Sequence, residues 1–139
     1  MSTFELKTHR IGKNYSNPHF FILNKGLNSG KPLSSPCPNC FVVIISTEEL
    51  KNTLFHLSMM LQIGGFYAYY LKGSVIPFIS IDDCRNTLIK GLKSKEECSL
   101  GFQKWIKAVA LINKKQQELN ETLVKLEKLK LSFARSLVK

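Results

Sequence analysis

The sequence predicts an α+β fold: a small, mostly antiparallel sheet of about four to five strands, two or three helices, and a long C-terminal amphipathic helix. Three observations predict it. Short apolar runs of strand length recur at Thr3–His9, His19–Leu23, Phe41–Ile45 and Val75–Ile81. Capping residues follow two of them, at Ser46 and at Asp82-Asp83. The last third of the chain has no proline and repeats its apolar residues at helical spacing. With 139 residues the chain fits one domain, organised as an α+β core over 1–93 and a helix over 94–139.

Residues 3–9 alternate, with Phe4 and Leu6 on one side and Glu5 and Lys7 on the other, which is the pattern of a half-buried strand. Gly12–Pro18 is turn chemistry. His19–Leu23 is apolar on both faces and reads as a central strand, able to pair with the first as a hairpin across a long loop. Asn24–Cys40 then holds three prolines and two glycines, a composition that excludes a helix or a central strand. An irregular segment of that length is uncommon in a compact domain and marks a candidate binding loop.

Phe41–Ile45 is wholly apolar and β-branched, hence a buried strand. Ser46 and Glu49 form a capping box for a helix with Leu50, Leu54, Leu57 and Leu61 on one stripe. Gly64-Gly65 ends it, and Phe66–Leu71 fits a strand or a helix equally. Val75–Ile81 reads as a strand that Pro77 pushes to a sheet edge or a bulge. Asp82-Asp83 suits a helix start, with Gly91 and Lys93 near its end at about Leu92.

Ser94 and Glu97 make a second capping box, and Gly101 is the only breaker after it. A helix of about 35 residues would be roughly 50 Å long. Trp105, Ile112, Leu119, Leu126 and Phe133 recur every seven residues, and Val109, Leu123 and Leu137 fill the offset positions. Gln116 and Lys130 are the polar exceptions in this heptad row. Val124, Leu131 and Val138 add a second row, while Lys107, Lys114, Glu121, Lys128 and Arg135 lie opposite the first. Such a row requires a cover, from the chain's own sheet or from a partner.

The net charge is +10, from 20 Lys+Arg against 10 Asp+Glu. That surplus favours polyanions such as nucleic acid. Arg10, Arg85 and Arg135 are the only arginines, so loose backbone contact is expected rather than base-specific reading. The N-terminal residues lack the apolar core of a signal peptide, no run is long enough to span a bilayer, and a cytoplasmic, membrane-free protein is expected.

Few residues carry recognisable chemistry. Cys37 and Cys40 have zinc-ligand spacing, but Cys84 and Cys98, 13 residues apart, do not supply the second pair; no metal or other cofactor is expected, and zinc stays a minor alternative. Gly26–Lys31 has one residue too few for a nucleotide-hydrolysing loop, and Pro32 stands where Ser or Thr is needed. A simpler anion or partner site remains open there: backbone N–H groups of Asn28, Ser29 and Gly30 with Lys25, Lys31 and Asn39. Asp82, Asp83, Cys84 and Arg85 bring acid, thiol and cation together, but no histidine base is near in sequence. Phe66, Tyr67, Tyr69 and Tyr70 before Lys72 read as packing residues ahead of a base-stacking platform. No catalytic residue is assigned.

At Asn28–Val42 (NSGKPLSSPCPNCFV) and Gly73–Phe78 (GSVIPF) the chain resembles a group of small bacterial proteins of unknown function, some of them found in mobile genetic elements. The resemblance covers the α+β portion. It implies a mobile-element setting and transfers no activity and no catalytic residue.

The resulting expectation is a non-enzymatic, basic accessory or binding protein. It would form a homodimer or dock a helical partner through Trp105, Ile112, Leu119, Leu123, Leu126, Phe133 and Leu137, and contact nucleic acid non-specifically. The alternative is a small-ligand-binding or enzymatic domain with its site at the 24–40 loop.

Overall fold

The structure is a computed structural model that describes residues 4–97 and 99–138. Cys98 and Thr3, both part of the sequence reading, lie outside the described residues. The chain divides into two units, 1–98 and 99–139.

The first unit is built on an antiparallel sheet of four strands: β1 (Phe4–Thr8), β2 (His19–Leu23), β3 (Pro32–Leu33) and β4 (Cys40–Ile45). Their order is β1-β4-β2-β3. The expected β1–β2 hairpin does not form, because β4 inserts between them and pairs with both. The reason is burial. A strand apolar on both faces is best placed where both faces and both edges are covered. β4 meets that condition, with Val42 and Val43 fully buried and Phe41 and Ile45 nearly so. β1 carries Glu5 and Lys7 and belongs at an edge. Pro32 is tolerated in β3 because that strand is the other edge.

Helices α1 (Glu48–Ile63) and α2 (Ile81–Glu97) pack on one face, α1 against β2, β3 and β4, and α2 against β1. Phe20 of β2 meets Phe55 of α1 edge-on at 5.5 Å. The α1 cap is Thr47, whose hydroxyl accepts from the Leu50 N–H at 3.2 Å, so the helix starts one residue later than the Ser46 box implies. Leu54 and Leu57 are buried on the expected stripe, and Leu50 and Leu61 are half-buried.

Val75–Ile81 is not a strand. Val75 and Ile76 are 89% and 62% exposed, and Phe78 alone makes isolated bridges, to Lys25 and to Lys72. With Pro77 unable to donate, the segment cannot sustain a ladder. Its end instead caps α2: the Ser80 hydroxyl accepts from the Asp83 N–H at 3.2 Å and donates to the Asp83 carboxylate at 2.8 Å. Asp82 and Asp83 lie in the first turn as expected. Helix α2 runs on past Leu92 to Glu97, so Ser94 is inside it rather than opening the next helix. Gly91 is no terminator either. It is where α1 and α2 touch, and a Cβ there would stand 2.8 Å from Leu61 Cδ1. Phe66–Leu71 resolves into a turn and a short 3-10 helix, Ala68–Tyr70.

Tyr67, fully buried, ties these elements together. Its hydroxyl bonds Ser58 Oγ on α1 at 2.9 Å, and Ser58 Oγ donates to the Gly30 carbonyl at 2.9 Å. Gly30 has φ +101 and packs against the Tyr67 ring, so a Cβ there would collide with Tyr67 Cδ2 and Cγ. Gly30→Ala combines a forbidden backbone conformation with an overpacked core, and is expected to cost about 3 kcal/mol or more. Urea unfolding checks this; a loss under ~1 kcal/mol would mean that the contact is not rigid.

Candidate interaction surface

The 24–40 loop turns out to be structural in its backbone. The N–H groups of Ser29, Gly30 and Lys31 donate to the carbonyls of Gly26, Leu23 and Asn28, at 3.2, 2.8 and 3.1 Å. The Ser29 hydroxyl, itself buried, donates to the Gly26 carbonyl at 2.7 Å. Two of the three N–H groups expected to hold an anion are therefore engaged within the loop. Lys25, Asn28, Lys31 and Asn39 are exposed side chains.

Cys37 and Cys40 lie together under the sheet face away from the helices, packed with Phe21, Val42 and Tyr15. The Cys40 thiol donates to the Cys37 carbonyl at 3.1 Å, and burial pushes its pKa up. Among the described residues no group of three His, Cys, Asp or Glu side chains could hold a metal. On this face His9, Tyr15, His19 and Phe21 form an aromatic cluster that sequence reading missed. His9 Nδ1 and the Tyr15 hydroxyl are 3.0 Å apart, and the His9 and His19 rings meet Phe21 edge-on at 4.9 and 5.4 Å. No periodic signal links residues that arrive from a strand and a turn.

The acid, thiol and cation at the α2 start are likewise committed. Asp82 holds Arg85 at 2.8 Å, Asp83 pairs with Lys72 at 3.5 Å, and burial pushes the Cys84 thiol up to about 12. A thiol held neutral is no nucleophile. Of the four aromatics before Lys72, only Tyr67 is core; Phe66 and Tyr69 are 58% and 84% exposed.

The second unit is a single helix, α3 (Ser99–Ser136), of 38 residues. It spans about 57 Å at 1.5 Å per residue. Gly101 sits inside its first turn and does not interrupt it. A lone helix has no second layer of its own, and its heptad row is exposed: Trp105, Ile112, Leu119, Leu123 and Leu126 are between 54% and 60% accessible, and Phe133 and Leu137 more so. The second row, Val124, Leu131 and Val138, is exposed too. The helix carries eight basic residues against three acidic ones. Lys107, Lys114, Glu121, Lys128 and Arg135 fall on the side opposite the heptad row, beside the second apolar row.

Three buried acids give a pH dependence. Burial raises the pKa of Cys40, Cys84 and Tyr67 above their ordinary values of 9.0, 9.0 and 10.0. The folded chain then keeps these protons to higher pH than the unfolded chain. Their contribution is fully present below pH 9 and is lost as pH rises from there through the folded values. Urea midpoints measured from neutral into alkaline pH are expected to fall, and Cys84→Ala to flatten part of that fall. Midpoints independent of pH, or a slope that Cys84→Ala leaves unchanged, would refute the assignment.

Among the described residues no helix is long and apolar enough to cross a membrane. No curated protein and no solved structure matches the chain. A family model described as a family of unknown function (DUF6943) matches residues 6–136, which takes in the sheet from the third residue of β1 onward, its two helices and all of α3. This chain belongs to the DUF6943 family.

Proposed function

We propose that the chain is a non-enzymatic binding protein that pairs with a second copy along α3 and offers the basic side of the same helix to a polyanion such as nucleic acid. The observation that carries this reading is the row Trp105, Ile112, Leu119, Leu126 and Phe133, more than half exposed at every position on a helix that makes up the second unit by itself. Burying a row of this kind against a copy of itself removes apolar surface at about 25 cal/mol per Å². Gln116 and Lys130 select the orientation. Parallel, in-register pairing sets the two copies of Lys130 face to face in the seam, whereas antiparallel pairing keeps them apart.

The mobile-element setting suggested by the loop motifs agrees with a nucleic-acid partner. A reducing compartment, the cytoplasm, suits the free thiols at Cys37, Cys40 and Cys84. Lysine-dominated charge supports contact with phosphates over reading of bases.

Trp105 is the only tryptophan and sits in the proposed seam, so it reports on this contact alone. Its emission is expected to shift to the red on dilution, as the pair separates. The double variant Leu119→Glu, Leu126→Glu should show the red-shifted spectrum at every concentration. An emission maximum that dilution never moves would end the α3 pairing. Titration of a duplex at increasing salt tests the polyanion: counterion release predicts a steep loss of affinity, with log K falling by about 0.9 per neutralised phosphate per log unit of salt. Absence of binding at low salt would remove that half of the reading.

A further inference from the structure

Strand β1 is an edge: β4 pairs with one side of it, and among the described residues no strand pairs with the other. The hydrogen-bond alternation shows which groups face outward. The His9 N–H donates to the Cys40 carbonyl, and in register Lys7 and Glu5 stand opposite Val42 and Ile44. On the far side of β4, the Ile45 N–H donates to the Pro18 carbonyl. Odd-numbered residues of β1 therefore bond to β4, and Phe4, Leu6 and Thr8 direct N–H and C=O to the open edge.

That edge is complementary to itself. Two β1 strands laid antiparallel about Leu6 set Leu6 opposite Leu6 and Phe4 opposite Thr8, so that all the outward groups meet as hydrogen-bonded pairs. On the exposed face the same register sets Glu5 opposite Lys7 of the other copy, and Lys7 opposite its Glu5. Both side chains are free enough to make those contacts, at 59% and 47% exposure, and pair with each other at 3.0 Å. A lysine on an edge strand ordinarily repels further strands; this one meets an acid when the incoming strand is its own copy.

The helix side supports the same arrangement. Beside β1 lies a cleft of about 810 Å³ whose lining includes Phe4, Leu6, Leu50, Ile89 and Leu92. The two-fold axis of such a pair is perpendicular to the sheet, so both copies of α2 lie on one face and the cleft, which Arg85, Lys93, Lys95 and Glu96 also line, faces its own image. Arg85 is the guard that must yield. Its Nη2 reaches the Leu6 carbonyl at 3.3 Å, while its Nη1 holds Asp82 at 2.8 Å. The incoming Leu6 N–H replaces the longer bond and leaves the shorter one.

We propose that β1 is a second self-association surface, joining two copies into one continuous eight-stranded sheet through antiparallel pairing centred on Leu6. It does not depend on α3. A chain with two distinct two-fold contacts assembles beyond a dimer.

The test is a charge swap in the full-length chain carrying Leu119→Glu and Leu126→Glu, so that α3 contributes nothing. Sedimentation of this parent should show a concentration-dependent dimer. Glu5→Lys and Lys7→Glu, made separately, each turn two attractive cross-strand pairs into repulsive ones and should weaken it by about tenfold. An equimolar mixture of the two variants should recover the dimer, because lysines on one strand then face acids on the other. The double swap Glu5→Lys, Lys7→Glu should recover it within a single chain. Both residues are exposed, and thermal unfolding confirms that each variant is folded. A parent that is monomeric throughout, single variants that associate as the parent does, or a mixture no heavier than its components would each overturn the proposal.

Discussion

Strand β4 between β1 and β2 is the constraint on which the first unit depends. It is apolar on both faces, so it needs a layer above and a layer below, and as an inner strand it bonds along both edges. Its large side chains are worth about 1.5–3 kcal/mol each when fully buried. β2, likewise apolar on both faces, takes the other inner place, and the edges fall to β1, which is half charged, and β3, which begins with a proline. Once β4 is central, β1 is left at an edge, α2 covers it, and the outward groups of Phe4, Leu6 and Thr8 are left without a strand partner.

The second fixed point is the Gly30–Ser58–Tyr67 contact. It joins the 24–40 loop to α1 and to the turn before α2, through one hydroxyl pair and one carbonyl. It also explains why the residues with the most chemical promise are quiet. Ser29 and the loop N–H groups hold the loop in shape, Cys84 is sealed on the buried side of α2, and Asp83 serves a helix cap. Reactive groups are engaged in holding the fold, and the exposed apolar and charged residues lie elsewhere, on α3 and on the edge of the sheet. Both surfaces are the ones on which the proposed self-association rests.

Much of this architecture was legible in the residues. The runs at His19–Leu23, apolar on both faces, and at Phe41–Ile45, wholly apolar, mark the two inner strands, because buried strands favour that composition. The Leu50–Leu61 stripe identified α1, and the heptad row identified α3. Strand partners were not legible, since pairing is decided by which strand most needs covering rather than by proximity along the chain. Val75–Ile81 misled because β propensity describes a surface to be packed, and Pro77 with exposed Val75 and Ile76 never receives one. Gly91 was misread as a terminator because its purpose, a close helix approach, is visible only once α1 lies beside α2. The surface at β1 was hidden for a different reason: the alternation of Glu5 and Lys7 marks a half-buried strand, and only the register on β4 shows which backbone groups remain open.

We propose that this chain meets copies of itself, along α3 and along β1. Molecular mass by light scattering across a wide dilution series tests it most directly. The account predicts a mass well above the 15.8 kDa of one chain at high concentration, falling toward that value on dilution. A mass of 15.8 kDa at every concentration would contradict it.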